Sequence, residues 1–154
     1  MKQFLLIFGA QYAIFLSVLI GGLYFLYQSR EKKKELIVRG ILTAIIVGLG
    51  AFLAGHIYYN PRPFVVGNFI PLVPHSVNNG FPSDHVLLAS FIAAVLSFYN
   101  RKTAVILWIL VVVVAISRVL VGVHHPVDVV GSIVISIIGS AIGYIIIKKF
   151  KSDR

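Results

Sequence analysis

The sequence predicts an all-α integral membrane protein, a helical bundle of about five transmembrane helices with its N-terminus outside and its C-terminus in the cytoplasm. Three observations predict it. Of 154 residues, 58% are hydrophobic and only 12% charged, where a soluble domain carries about 25% charge. Five long apolar runs account for most of the chain, each near the ~20 helical residues that cross a hydrocarbon core. The net charge of +9 is concentrated between alternate runs and at the tail.

The first run, residues 4–27, is broken only by Gln11, Ser17 and glycines. Lys2 precedes it as in a signal peptide, but the run is too long for a usual h-region and the basic cluster follows it, so it reads as a retained helix. Residues 36–59, 82–99, 103–123 and 127–147 supply the other four, the third being the shortest. Residues 1–154 therefore read as a single membrane-embedded domain. There are no cysteines, which excludes disulfides and thiolate metal sites.

Arg30, Lys32, Lys33, Lys34 and Arg39 follow the first run, Arg101 and Lys102 follow the third, and Lys148, Lys149, Lys151 and Arg154 form the tail. The opposite ends carry only Lys2, Arg62 and Arg118. Short loops rich in Lys and Arg stay cytoplasmic. That rule sets the topology and explains the basic clusters as membrane anchors, without nucleic acid as a partner.

With this topology His56, His75, His85, His124 and His125 all fall at or near the outer surface, together with Arg62, Ser83, Asp84, Ser117, Arg118 and Asp128. Ionisable groups at membrane depth are costly and mark functional sites. Three segments carry them: Asn60-Pro61-Arg62-Pro63, then Pro82-Ser83-Asp84-His85, then Ser117-Arg118 with His124 and Asp128.

These residue types suit phosphoryl chemistry. The forks of Arg62 and Arg118 match phosphate oxygens bidentately. Pro82 fits the first position of a helix. The backbone N–H groups of Ser83, Asp84 and His85 would then point at an anion, with the Ser83 hydroxyl as a further donor. Asp128 would accept one N–H of His124, fixing its tautomer and leaving the other nitrogen as nucleophile. His85 would protonate the leaving oxygen and then activate water. Two guanidiniums supply the positive charge, so neither a metal nor another cofactor is needed. Each part alone has an ordinary structural explanation: a snorkelling arginine, a helix cap, a turn. Together, on one face and in this order, they point to a site.

On these residues the chain resembles the type-2 phosphatidic acid phosphatase superfamily, which includes vanadium haloperoxidases. Its signature is Lys-(six residues)-Arg-Pro, Pro-Ser-Gly-His, and Ser-Arg-(five residues)-His-(three residues)-Asp. Here Arg62-Pro63, Pro82-Ser83-Asp84-His85, and Ser117, Arg118, His124 and Asp128 match it. The resemblance implies a helical bundle and a phosphohistidine mechanism with the roles just assigned. Two positions depart. The signature lysine falls at Gly55, beside His56, and Asp84 replaces glycine with its backbone N–H retained. The family commonly has six helices, and the first of them is missing from this count.

The runs Pro61-Arg62-Pro63-Phe64 and Phe81-Pro82-Ser83-Asp84-His85, with Gly122-Val123-His124, resemble the bacterial undecaprenyl diphosphate phosphatase branch. That branch implies a multi-pass protein of the inner membrane, its site on the extracytoplasmic side. Lipid A 1-phosphatases and phosphatidylglycerophosphate phosphatases are the neighbouring alternatives. A haloperoxidase is disfavoured by the membrane spans. A non-catalytic lipid-phosphate binder or transporter is disfavoured by the complete His-Arg-Asp set.

The outer loop, residues 67–80, links the first two motif segments and reads either as a lid over the site or as a solvated connector. His56, His75, Asn79 and His125 are candidates for the rim, and His125 is also a rival nucleophile. Spacing from Arg118 and to Asp128 favours His124. Gly139 and Gly143 read as close helix packing, with dimerisation as the alternative.

Overall fold

In a hydrocarbon setting every backbone N–H and C=O must be satisfied within the chain, so apolar runs become helices. The computed structural model describes residues 2–152. Its elements are α1 (Lys2–Gln11), α2 (Ala13–Leu26), α3 (Arg30–Ile57), α4 (Pro63–Val66), α5 (Asp84–Ser97), α6 (Arg101–Leu120) and α7 (Pro126–Ser152). Arg154 and the side chain of Lys151, both in the basic tail, lie outside the described residues.

The chain is an all-helical membrane bundle. Among the described residues three helices, α3, α6 and α7, are long and apolar enough to cross a membrane, and α1 with α2 makes a fourth if the pair counts as one span. α5 is apolar but has only 14 residues, a rise of about 21 Å against ~30 Å of hydrocarbon.

The first apolar run does not form one straight helix. It breaks at Gln11–Tyr12, and α1 and α2 meet at a 48° bend. There is no proline at the break. Instead Arg118 Nη1 donates to the Ala10 carbonyl oxygen at 3.4 Å, and a side chain that takes a carbonyl from the helical ladder bends a helix. The second run starts six residues earlier than its apolar part. Ser29 is the N-cap of α3, its Oγ accepting from Lys32 N–H at 3.4 Å. Apolarity marks the lipid-embedded stretch, whereas the cap marks the helix start. Asn100 opens α6 in the same way, accepting from Thr103 N–H at 3.0 Å.

α5 lies at the centre of the bundle, packed on α2, α3, α6 and α7. Its small side chains Ala89 and Ala93 are fully buried and let the neighbours approach. Gly139 and Gly143 face α3 within the chain. A Cβ at Gly139 would meet Val47 Cγ2 at 2.6 Å, and one at Gly143 would meet Thr43 Oγ1 at 2.5 Å. These glycines therefore serve close packing of α7 on α3. Outward, α3 presents Ile37, Ile41, Ile45, Leu49 and Phe52, all exposed. An apolar stripe of that length is a surface for lipid.

The C-terminal ends of α3 and α6 and the N-terminal ends of α4, α5 and α7 meet at one end of the bundle. Gly122 ends α6 with φ +84°, the left-handed turn that only glycine adopts freely. A Cβ there would meet the Phe69 ring at 2.6 Å. This turn carries the chain from Arg118 back to His124.

Candidate active site

Six segments build the site: the break after α1, the Asn60–Arg62 turn, the loop 67–80, the start of α5, the end of α6 and the start of α7. Arg62, Arg118 and His124 are each 2% exposed and Asp128 is 0% exposed. Burying charge of this kind requires partners, and the partners are specific.

His124 lies at the centre. Arg62 Nη1 and Arg118 Nη2 each lie 3.2 Å from its Nε2. On the other side of the ring, Nδ1 lies 2.9 Å from the Gly80 carbonyl oxygen and 3.4 Å from Asp128 Oδ2. Both of those partners only accept, so Nδ1 carries the hydrogen and Nε2 keeps its lone pair. The tautomer is thus the one the sequence requires, but the shorter of the two bonds goes to Gly80.

Asp128 is held on three sides. Asn60 Nδ2 donates to Oδ1 at 2.7 Å, and the His125 N–H donates to Oδ2 at 2.8 Å, the oxygen that faces His124. His125 itself turns its Nε2 to the Pro61 carbonyl at 3.2 Å, away from the guanidiniums.

The arginines are anchored as firmly. Arg62 Nε donates to Asn78 Oδ1 at 2.8 Å and Nη1 to the Val123 carbonyl at 2.9 Å. Arg118 reaches the Ala10 carbonyl, and among the described residues its Nε is buried without a partner. Among the described residues the Ser83 Oγ is also buried without a partner. Buried polar atoms with nothing to bind are rare in native interiors. Arg118 Nε and Ser83 Oγ are two such atoms.

The start of α5 differs from the sequence expectation. Asp84, not Pro82, is the first helical residue, and Ser83 is the N-cap. The Ser83 N–H is not available to an anion, because it donates to Ser132 Oγ at 2.8 Å. Ser132 sits one helical turn after Asp128 and fills that place. Asp84 and His85, in the first turn of α5, keep N–H groups for which the helix has no acceptor. The Asp84 side chain is exposed, whereas His85 is half-buried and close enough to Arg118 and His124 to feel their charge.

His75, a rim candidate from sequence, comes into the site: its ring centroid lies 5.9 Å from that of His124, edge to face. Burial first, and then the charges of Arg62 and Arg118, push its pKa down to about 4. Burial likewise holds His124 below the usual imidazole value; the Asp128 hydrogen bond opposes this, and Arg118 and Arg62 reinforce it. His56 does not join the cluster. It is exposed and stacks on Phe52 at 5.4 Å.

Asn79 works as a staple. Its Nδ2 donates to the Gly55 carbonyl at 2.8 Å and the Tyr58 carbonyl at 3.1 Å, two orphan carbonyls at the end of α3. Its Oδ1 accepts from Asn60 N–H at 2.9 Å and Phe81 N–H at 3.0 Å. At Gly55, where the signature lysine would fall, a Cβ would meet the Phe81 carbonyl oxygen at 3.1 Å. That position is closed in by the Asn79–Pro82 segment.

Sequence reasoning missed Gly80, Asn78, Ser132 and the Ala10 carbonyl. Three of these act through backbone atoms or through a serine hydroxyl inside a helix, where residue type gives little signal. Asn78 had one, as a turn residue adjoining the motif segments.

The PAP2 superfamily profile matches residues 36–152. The chain is 37% identical over 134 residues to the undecaprenyl-diphosphatase BcrC of Bacillus subtilis, covering 87% of this chain and 69% of that protein. Among solved structures, it is similar to Aquifex aeolicus LpxE, with a TM-score of 0.63 and 27% identity over 91% of this chain and 81% of the other. It is also similar to the PAP2-type phosphatidylglycerolphosphate phosphatase of Bacillus subtilis, with a TM-score of 0.62 and 26% identity, covering 97% and 76% of the two chains.

Proposed function

The chain belongs to the PAP2 superfamily, and we propose that this membrane lipid phosphatase hydrolyses undecaprenyl diphosphate to undecaprenyl phosphate through a phosphohistidine on His124. One observation carries the reading: both guanidiniums converge on the lone-pair nitrogen of a histidine whose other nitrogen is held by Gly80 and Asp128. A nucleophile lies there inside a cradle for phosphoryl oxygens.

The contacts support the following steps. The terminal phosphate enters between Arg62 and Arg118, whose N–H groups turn from Nε2 to its oxygens. His124 Nε2 attacks phosphorus, and the bond to the bridging oxygen breaks. His85 gives that oxygen its proton. His124 becomes positively charged as it gains the phosphoryl group, and Gly80 and Asp128 stabilise its Nδ1–H. His85 then takes a proton from water, whose oxygen attacks phosphorus and frees His124 and inorganic phosphate. The Ser83 hydroxyl, Arg118 Nε and the Asp84 N–H stabilise charge on the equatorial oxygens. Catalysis of phosphoryl transfer consists mostly of such positioning and charge stabilisation. The reaction needs no metal.

The substrate assignment rests on the relative at 37% identity and on the Arg62–Phe64 and Phe81–His85 runs. The placement of charge supports an extracytoplasmic site in the inner membrane. Arg30, Lys32, Lys33, Lys34, Arg101, Lys102, Lys148 and Lys149 lie at the end opposite His124, and basic ends stay cytoplasmic. With α5 counted as a short fifth span, the N-terminus lies outside.

The test is phosphate release by purified protein in detergent with chelator, from undecaprenyl diphosphate, lipid A and phosphatidylglycerophosphate. Undecaprenyl diphosphate is cleaved fastest. A faster rate on another lipid overturns the substrate, and a requirement for metal overturns the mechanism.

A further inference from the structure

At the end of the bundle away from His124, the start of α3, the α5–α6 turn and the end of α7 line a cavity of about 1230 Å³. Its floor is Arg39. The sequence reads Arg39 as one more anchor, yet the residue is 5% exposed. Its guanidinium is stacked with Tyr144 at 4.7 Å and Tyr99 at 4.8 Å. Among the described residues, Arg39 Nε is buried with no partner.

The charge in this cavity does not balance. Glu31 is paired with Lys34 at 3.1 Å. Among the described residues lining the cavity, that leaves Lys32, Arg39 and Lys148 facing one carboxylate, Glu35, which lies 3.7 Å from Arg39 Nη2. The side walls are apolar, formed by Val38, Leu42 and Ile147. Cationic and aliphatic side chains lining one cavity suit an amphipathic anion. The site is remote from the chemistry: Arg39 and Gly55 lie on the same helix, about 24 Å apart at 1.5 Å per residue.

We propose that this cavity is a second, non-catalytic binding site for a phosphate group, that of an anionic phospholipid whose acyl chain lies along α3 and α7. The phosphate meets Arg39, Lys32 and Lys148, and the chain meets Val38, Leu42 and Ile147. Basic clusters near a bilayer surface attract anionic lipid in this way.

The test uses the full chain in neutral detergent, with thermal unfolding and native mass spectrometry as readouts. Phosphatidylglycerol, phosphatidylcholine and inorganic phosphate are titrated separately. Phosphatidylglycerol raises Tm and remains bound; phosphatidylcholine does neither. The apparent affinity falls about tenfold or more in the Lys32→Gln/Lys148→Gln protein and persists in Arg118→Ala, or in Arg62→Ala if that variant does not fold. A shift of the same size with inorganic phosphate, lost in the double lysine variant, keeps the site and makes its ligand a soluble phosphate. Equal shifts with phosphatidylcholine, retention in the double variant or loss in the arginine variant would each overturn the proposal.

Discussion

The Gly80 carbonyl oxygen lies 2.9 Å from His124 Nδ1, nearer than the carboxylate of Asp128 at 3.4 Å. The histidine tautomer is therefore held twice, once by backbone and once by side chain. Where a carboxylate alone fixes a catalytic histidine, its amide variant loses about 10⁴ in kcat.

In this protein the Asp128→Asn variant keeps the Gly80 bond, so its kcat falls on the order of 10²-fold. A loss as large as that of His124→Ala contradicts shared control of the ring.

Gly80 has no room for a side chain. A Cβ there would meet the Asn60 carbonyl oxygen and Asp128 Oδ2, each at 3.0 Å. Gly80→Ala displaces the carbonyl and the carboxylate together, and kcat falls on the order of 10²-fold. Gly80 is buried, so the apparent Tm falls as well, and the loss of kcat exceeds what the lowered stability accounts for at assay temperature. Steady-state kinetics beside thermal unfolding separate the two effects.

Asn79→Ala removes four hydrogen bonds from the junction of α3, the Asn60 turn and Phe81. At about 0.5–1.5 kcal/mol each, the loss is about 2–6 kcal/mol, read as a lowered apparent Tm. Arg62 is aligned by the same loop, so activity falls with stability. Asn79→Asp keeps the acceptor and loses both donors to the α3 carbonyls, and it does not rescue either property.

The depressed pKa of His124 fixes a pH profile. Its folded value lies below 6.5, so the proton leaves at lower pH and Nε2 is available as a nucleophile in mildly acidic solution. The acid limb of kcat/KM then lies below pH 6.5. Stability carries the same sign. Between the folded pKa and 6.5 the unfolded chain binds more protons, so stability rises with pH through that window and levels off at its lower value beneath it. An acid limb at or above pH 6.5 contradicts control of this histidine by burial.

Much of this was legible from residue types. The apolar runs mark the helices, and Arg62, His85, Arg118, His124 and Asp128 stand out by type and spacing. Three matters were not legible. The α1–α2 bend depends on an arginine 108 positions away in sequence. The start of α5 depends on Ser132 taking the Ser83 N–H, a competition between helices that local pattern cannot show. Arg39 looks like a surface cation because positive-inside anchoring accounts for any basic residue at that end; only the packing of Tyr99 and Tyr144 distinguishes it.

The phosphohistidine is tested most directly by a single turnover, quenched in alkaline detergent, with undecaprenyl diphosphate labelled in its terminal phosphate. The predicted result is label bound to the protein by an acid-labile, base-stable linkage, mapped to His124 and absent from His124→Ala. Full turnover with no label on His124, or label on His125 or His85, would contradict it.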